Sequence, residues 1–139
     1  MNNGDGCDSS CLKERLYDCS GADNALSVCS NQCANGVYNE EAEEECDDGN
    51  TSSGDGCSSL CYIEEGYDCG DALTSCSEIC GDSLIIGIEA CDDSNLLSGD
   101  GCFPCVVEEG WTCDSEPSVC STICGDELLK GDEECDDGN

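Results

Sequence analysis

Histidine is absent from this chain, and its only basic residues are Lys13, Arg15 and Lys130, set against 34 carboxylates. Without histidine no ordinary Ser-His-Asp triad can be built, and a common zinc ligand is missing. The formal net charge of −31 repels nucleic acid and anionic lipid, so neither is expected as a partner. Large apolar side chains are few, with one Phe, one Trp and one Met. No run approaches the ~20 apolar residues of a membrane-crossing helix, so membrane insertion is not expected. The opening MNNGDGCDSS has neither the charged nor the apolar stretch of an export signal. The expectation is that such a signal lies upstream of Met1.

Cysteine is what the chain has in excess, with 18 in 139 residues. That is about 13%, above the roughly 8–10% that marks a disulfide scaffold. Without cysteine only about a quarter of the chain is apolar, too little for an ordinary core at this length. Order must come from cross-links, each expected to stabilise by roughly 2–4 kcal/mol. Such bonds persist in an oxidising compartment, which points to the cell exterior or the surface.

The cysteines form one six-member pattern three times: Cys7, Cys11, Cys19, Cys29, Cys33, Cys46; then Cys57, Cys61, Cys69, Cys76, Cys80, Cys91; then Cys102, Cys105, Cys113, Cys120, Cys124, Cys135. The expected fold is small, disulfide-rich and mostly β or irregular, with three tandem repeats (1–50, 51–95, 96–139) in a linear array. Cys46 to Cys57 is a step of 11 residues, as is Cys91 to Cys102, and joining Asn139 to Met1 gives Cys135 to Cys7 the same step. The phase therefore continues into a next copy, and head-to-tail assembly with other copies is expected. Six cysteines allow fifteen pairings within a repeat, and pairing across repeats stays open.

Within a repeat, Tyr62-Ile63-Glu64-Glu65-Gly66-Tyr67 and Val106-Val107-Glu108-Glu109-Gly110-Trp111 predict short hairpins around Glu-Glu-Gly. The first repeat has Leu16 in place of glycine, which predicts a distorted or briefly helical hairpin, because positive φ is disfavoured there. Tyr17, Tyr67 and Trp111 hold one equivalent position and are expected to cover a disulfide. The segments after Cys80 and Cys124 read as a turn with a short strand on each side. No sustained 3.6-residue apolar period predicts a long helix.

The acidic linkers carry the candidate chemistry. Calcium takes six to eight oxygens from a flexible loop. Asp47, Asp48, Asn50 and Asp55 could supply them, as could Asp92, Asp93, Asn95 and Asp100. A split third set comprises Asp136, Asp137 and Asn139 with Asp5. Glu44, Glu89, Glu133, Asp82 and Asp126 are second choices. The competing reading is a set of acidic turns with no metal, since Asp-Gly and Gly-Asn form turns unaided. Zinc is disfavoured by the cysteine spacing, and Cys102-Phe103-Pro104-Cys105 aligns with structural pairs rather than a redox motif. Asn50-Thr51-Ser52 is an N-glycosylation sequon, predicting an attached glycan.

The pattern CDDGN-x3-GDGC-SxxC-xxEEGY/W-xC, followed by CGD-x4-G-xExCDDGN, resembles the Myxococcus-type cysteine-rich repeat, a family of unknown function. The resemblance implies tandem extracellular repeats of large secreted or surface proteins and supplies no catalytic residues. Ser94 and the shortened Phe103-Pro104 spacing depart from it. The expected role is structural: part of an extracellular filament, stalk or surface coat, with no enzymatic activity. The alternative is a recognition module that binds a protein or glycan.

Overall fold

The computed structural model describes residues 5–21 and 26–138. Regular structure is sparse, as expected of a chain punctuated by glycine and aspartate. Among the described residues three two-stranded ribbons are present, the first and last of them antiparallel. β1 (Tyr17–Ser20) pairs with β2 (Val28–Asn31), β3 (Tyr67–Asp68) with β4 (Ser77–Glu78), and β5 (Trp111–Asp114) with β6 (Val119–Thr122). No α-helix occurs among the described residues, and a single 3₁₀ turn covers Glu40–Ala42, capped by the Asn39 side chain. The chain divides into two compact units, Met1–Ser77 and Glu78–Asn139.

Each ribbon is cross-linked. Cys19 faces Cys29 and Cys113 faces Cys120 in register, and both pairs are bonded, with Cα atoms 4.0 and 4.1 Å apart. Cys69–Cys76 closes the middle ribbon. Four further disulfides join one cysteine repeat to the next: Cys33–Cys61, Cys46–Cys57, Cys80–Cys105 and Cys91–Cys102. In order of position, the third cysteine bonds the fourth, the fifth bonds the second of the following repeat, and the sixth bonds the first.

Sulfur is also the core. Among the described residues, seven of the ten buried apolar ones are cysteines, the others being Leu16, Ala42 and Tyr67. Cys46, Cys57 and Cys69 form one buried cluster, with Cys76 and Leu73 packed against it. Meanwhile Leu26 and Ile88 are more than nine-tenths exposed. Disulfides here do two things at once, restricting the unfolded chain and filling the interior.

Three local expectations need correction. The segments flanking Glu-Glu-Gly do not pair with one another. Ile63 bridges back to Cys57 and Val107 to Cys102, while the residues after the turn pair forward with the next strand. Leu16 adopts φ +65° beside Gly66 at +83° and Gly110 at +85°, so the first turn keeps its shape instead of turning helical. Its side chain is buried and its N–H donates to the Ala42 carbonyl at 2.8 Å, contacts that offset the backbone cost. The segments after Cys80 and Cys124 carry no strands; they are turns gathered around a carboxylate.

Gly56 shows why glycine precedes the first cysteine. A Cβ there would stand 2.2 Å from the Cys76 Cβ and 3.0 Å from the Tyr67 ring, and its φ is +108°. The aromatic ring and the ribbon disulfide thus close on the same glycine. Gly54 has φ +89° with nothing within 4 Å. We expect Gly54→Ala to cost about 1–2 kcal/mol from backbone strain alone. Gly56→Ala should cost about 1–3 kcal/mol more from overpacking. Urea unfolding without reductant measures both, and equal losses would contradict the packing role.

Candidate functional site

The joints between repeats place the two aspartates of each CDD tract in different environments. Asp92 is 1% exposed. Its carboxylate accepts N–H bonds from Gly81, Asp82, Ser83 and Ser94 at 2.5, 3.1, 2.9 and 2.8 Å. Asp136 accepts the corresponding four from Gly125, Asp126, Glu127 and Gly138 at 2.6–3.1 Å. Asp47, fully buried, accepts three, from Asn35, Gly36 and Gly49.

A carboxylate offers about four lone-pair sites. Asp92 and Asp136 have all of theirs taken by backbone donors, and Asp47 has three. All three organise the turn after the fifth cysteine, an arrangement that leaves Asp92 and Asp136 no free acceptor position for a cation and leaves Asp47 one. Burial alone would raise the Asp92 pKa, but the four N–H bonds outweigh it and hold it below the usual value. At Asp136 the Gly138 N–H leads a similar lowering.

The second aspartates behave in the opposite way. Desolvation first, then the neighbouring Asp55 charge, raises the Asp48 pKa. Desolvation and then the Asp100 charge raise that of Asp93. Asp48 Oδ2, Asp93 Oδ1 and Asp100 Oδ1 are buried without any hydrogen-bond partner. Each internal joint thus brings two acids together with carboxyl oxygens that lack a donor. These oxygens fit a hard cation that takes oxygen ligands.

The remaining candidate ligands are placed as follows. Asn50 Oδ1 accepts the Ser52 N–H at 2.6 Å, while its Nδ2 donates to Asp55 at 3.1 Å. Asn95 Oδ1 accepts the Leu97 N–H at 2.6 Å. Asp5 accepts weakly from Cys7 N–H at 3.5 Å, Asp137 is exposed, and Asn139 lies outside the described residues. Asp82 and Asp126 cap their own turns through Leu84 and Leu128 N–H. Glu44, Glu89 and Glu133 accept from Asn39, Ile86 and Lys130 N–H respectively. Burial is the main cause raising the pKa of both Glu44 and Glu89. Glu44 lies with Asp47 near Cys61, and Glu89 near Cys80 and Cys105. The sulfurs in both groups are disulfide-bonded and offer no thiolate to a metal.

Sequence reasoning missed the first glutamate of Glu-Glu-Gly. Glu64 Oε2 accepts Gly54 and Gly56 N–H at 2.6 and 3.1 Å, and Glu108 Oε2 accepts Gly99 and Gly101 N–H at 2.7 and 3.0 Å. Glu14 binds Gly6 N–H at 2.9 Å. These acids clamp the GDG loop. The signal was available as an acid at a nearly constant distance after the first cysteine of every repeat. The Gly101 and Gly99 N–H bonds lower the Glu108 pKa.

Two open clefts lie elsewhere, one of about 440 Å³ against Trp111 and Thr122, the other of about 590 Å³ beside Lys13 and Arg15. Those two cations are engaged with backbone: Lys13 donates to the Glu41 carbonyl and Arg15 to that of Leu60. The Arg15 guanidinium also sits 4.0 Å over the Tyr62 ring.

The two kinds of aspartate should respond oppositely to mutation. Asp92→Asn leaves backbone donors facing an amide NH₂, and we expect a loss of about 1–3 kcal/mol. Asp93→Asn removes a desolvated charge and should raise the melting temperature in metal-free buffer. Linkage gives the same division with pH. Asp48 and Asp93 have raised folded values, so stability grows as pH falls from neutral towards them. Asp92 and Asp136 have lowered values, so their contribution is present above the ordinary aspartate pKa of about 3.8 and lost as pH falls through the folded values. Melting temperature against pH, without divalent cations, should therefore peak in mild acid, slightly above that ordinary value. A monotonic profile would contradict the assignment.

No curated protein matches the chain. A family profile does match, over residues 16–62, 64–106 and 108–139. Each frame starts just before the third cysteine of a repeat, and the first two run to just after the second cysteine of the next. The first two frames each enclose six cysteines that pair entirely among themselves. Seven disulfides in so small a chain identify a protein of an oxidising compartment. No helix among the described residues is long and apolar enough to cross a membrane. The chain belongs, as three tandem repeats, to the cysteine-rich family described as a domain of unknown function, DUF4215.

Proposed function

We propose that this chain is a structural repeat unit of an extracellular filament, stalk or surface coat, assembling head to tail. The observation that carries the reading is the double disulfide from each repeat to the next, Cys33–Cys61 with Cys46–Cys57 and Cys80–Cys105 with Cys91–Cys102. Two covalent links per joint restrain relative rotation of successive repeats, which suits a load-bearing element. A function of this kind needs no catalytic group, and the reading is non-enzymatic. Within the family, the Myxococcus-type pattern of secreted and surface repeats agrees with it.

Calcium belongs to the same proposal. At each internal joint the pairs Asp48 with Asp55 and Asp93 with Asp100 hold mutually repelling acids with unpartnered buried oxygens. A divalent cation relieves both the repulsion and the unmet bonding. Asn50 is exposed and available as a glycan acceptor at the edge of the first joint.

Two measurements test this reading. Calorimetric titration of the metal-free chain with calcium chloride should reveal two sites with Kd of about 10⁻⁴–10⁻³ M, typical of extracellular modules. Asp93→Asn should remove one of them. No heat and no thermal shift at about ten times that Kd, where roughly 1.4 kcal/mol of stabilisation is due, would remove calcium from the account. Electron microscopy of secreted material should show regular fibres. Dispersed monomers that bind a protein or glycan would favour the recognition alternative.

A further inference from the structure

The two disulfides of each joint differ in access and in company. The sixth–first bonds are enclosed at both ends, with Cys46 and Cys91 0% exposed, Cys57 1% and Cys102 3%. The fifth–second bonds are lopsided. Cys33 and Cys80 are partly open to solvent, whereas their partners Cys61 and Cys105 are buried. A small thiolate can reach one sulfur of each such bond, and the other then has to leave into the interior.

A glutamate stands against that inner sulfur in both joints. Glu89 Oε1 lies 3.1 Å from Cys105 Sγ. Cys105 is bonded to Cys80 and carries no S–H, so any proton shared across this contact belongs to the carboxyl. A carboxyl oxygen of Glu44 lies within 4.8 Å of Cys61 Sγ. Glu44 is buried, and its Oε1 has no hydrogen-bond partner. In both residues Oε2 accepts a backbone N–H, from Asn39 at 2.7 Å and from Ile86 at 3.1 Å. Oε1 is thus left as the atom to carry a proton.

We propose that Cys33–Cys61 and Cys80–Cys105 are thiol-exchange sites. A small thiol attacks the outer sulfur, Cys33 or Cys80, while Glu44 or Glu89 hands a proton to the departing inner one. The inference goes beyond the structural reading above and does not depend on filament formation.

The step balances without an oxidant. The incoming thiolate forms a bond to Cys33 Sγ as the Cys33–Cys61 bond breaks. The electron pair of the broken bond stays on Cys61, which takes the Glu44 proton and becomes a thiol, leaving Glu44 a carboxylate. One disulfide is lost and one formed. The step reverses when Cys61 returns its proton to Glu44 and displaces the attached thiol. A joint opened in this way keeps its enclosed sixth–first bond and gains rotational freedom.

The surroundings favour the protonated acid. Burial leads the raised pKa of both glutamates. Asp47 adds to it at Glu44, where Arg15 opposes, and Asp92, Asp82 and Glu78 add to it at Glu89. The ribbon disulfides supply an internal control. Cys19, Cys29, Cys113 and Cys120 are all partly open to solvent, so access alone would let a thiol in. Yet Cys19 and Cys113 Sγ face the carbonyls of Gly6 and Gly101 at 3.6 and 3.5 Å, groups with no proton to give.

The test uses the full oxidised chain in a chelating buffer, with pre-existing thiols blocked by N-ethylmaleimide. Reduced glutathione is added, and newly released thiols are trapped with iodoacetamide at intervals. Peptide mass spectrometry should find glutathione on Cys33 and Cys80 and the trap on Cys61 and Cys105, before any label on ribbon or sixth–first cysteines. Rates divided by the glutathione thiolate concentration should fall as pH rises through the glutamate pKa, because the proton donor is lost. Glu44→Gln should flatten that profile at Cys33–Cys61 alone, and Glu89→Gln at Cys80–Cys105 alone. Each should lower the acid-side rate by about 10²-fold, the lower end of general acid catalysis. A glutamine that only loosened the joint would raise the rate instead, and urea unfolding of each variant verifies the fold. Ribbon bonds opening first, adducts on Cys61 or Cys105, no exchange, or pH profiles that both substitutions leave unchanged would overturn the proposal. Whether fibres form bears only on the filament reading.

Discussion

Everything ordered in this chain depends on pairs of disulfides that tie each cysteine repeat to the next. With so few apolar side chains, no repeat can bury an interior of its own. The sixth and first cysteines of successive repeats meet in buried positions, Cys46 with Cys57 and Cys91 with Cys102. In the first of these joints the ribbon disulfide Cys69–Cys76 packs against that bond. The covalent unit therefore straddles the repeat as the sequence displays it. Its natural limits fall before the third cysteine, where the family frames also begin.

Negative charge is handled by division of labour. Asp47, Asp92 and Asp136 are turned inward, where backbone N–H groups satisfy them and fix the turn. Glu14, Glu64 and Glu108 do the same for the GDG loop. Asp48 and Asp93 sit beside another acid with an oxygen left without a donor. Carboxylates of the first two kinds replace the apolar contacts that would otherwise hold loops together. Those of the last kind are a local cost that a bound cation would offset. Identical side chains one residue apart thus have opposite effects on stability, because one faces converging N–H dipoles and the other faces another carboxylate.

Much was legible from residues alone. Cysteine number, spacing and the scarcity of apolar groups gave the disulfide-rich, mostly irregular class. The glycine before each first cysteine and the aromatic before each third were visible as fixed positions. The hairpin around Glu-Glu-Gly was misplaced, because alternating residues around a turn do not reveal which neighbour offers the free ladder edge. Leu16 was expected to spoil its turn, yet its buried side chain and its bond to Ala42 hold it at positive φ. The different settings of the two aspartates of CDD were not legible either, since most of the converging amides come from nine to twelve residues upstream.

By itself the sequence determined the period, the eleven-residue step between sixth and first cysteines, the polyanionic surface and the reliance on sulfur. These follow from composition and spacing, which need no coordinates. Only tertiary structure decided the partners: fifth with second and sixth with first across each boundary, and which aspartate faces inward. A disulfide forms where two Cα atoms come within about 4–7 Å, and spacing along a chain full of turns does not set that separation. The folded turns do.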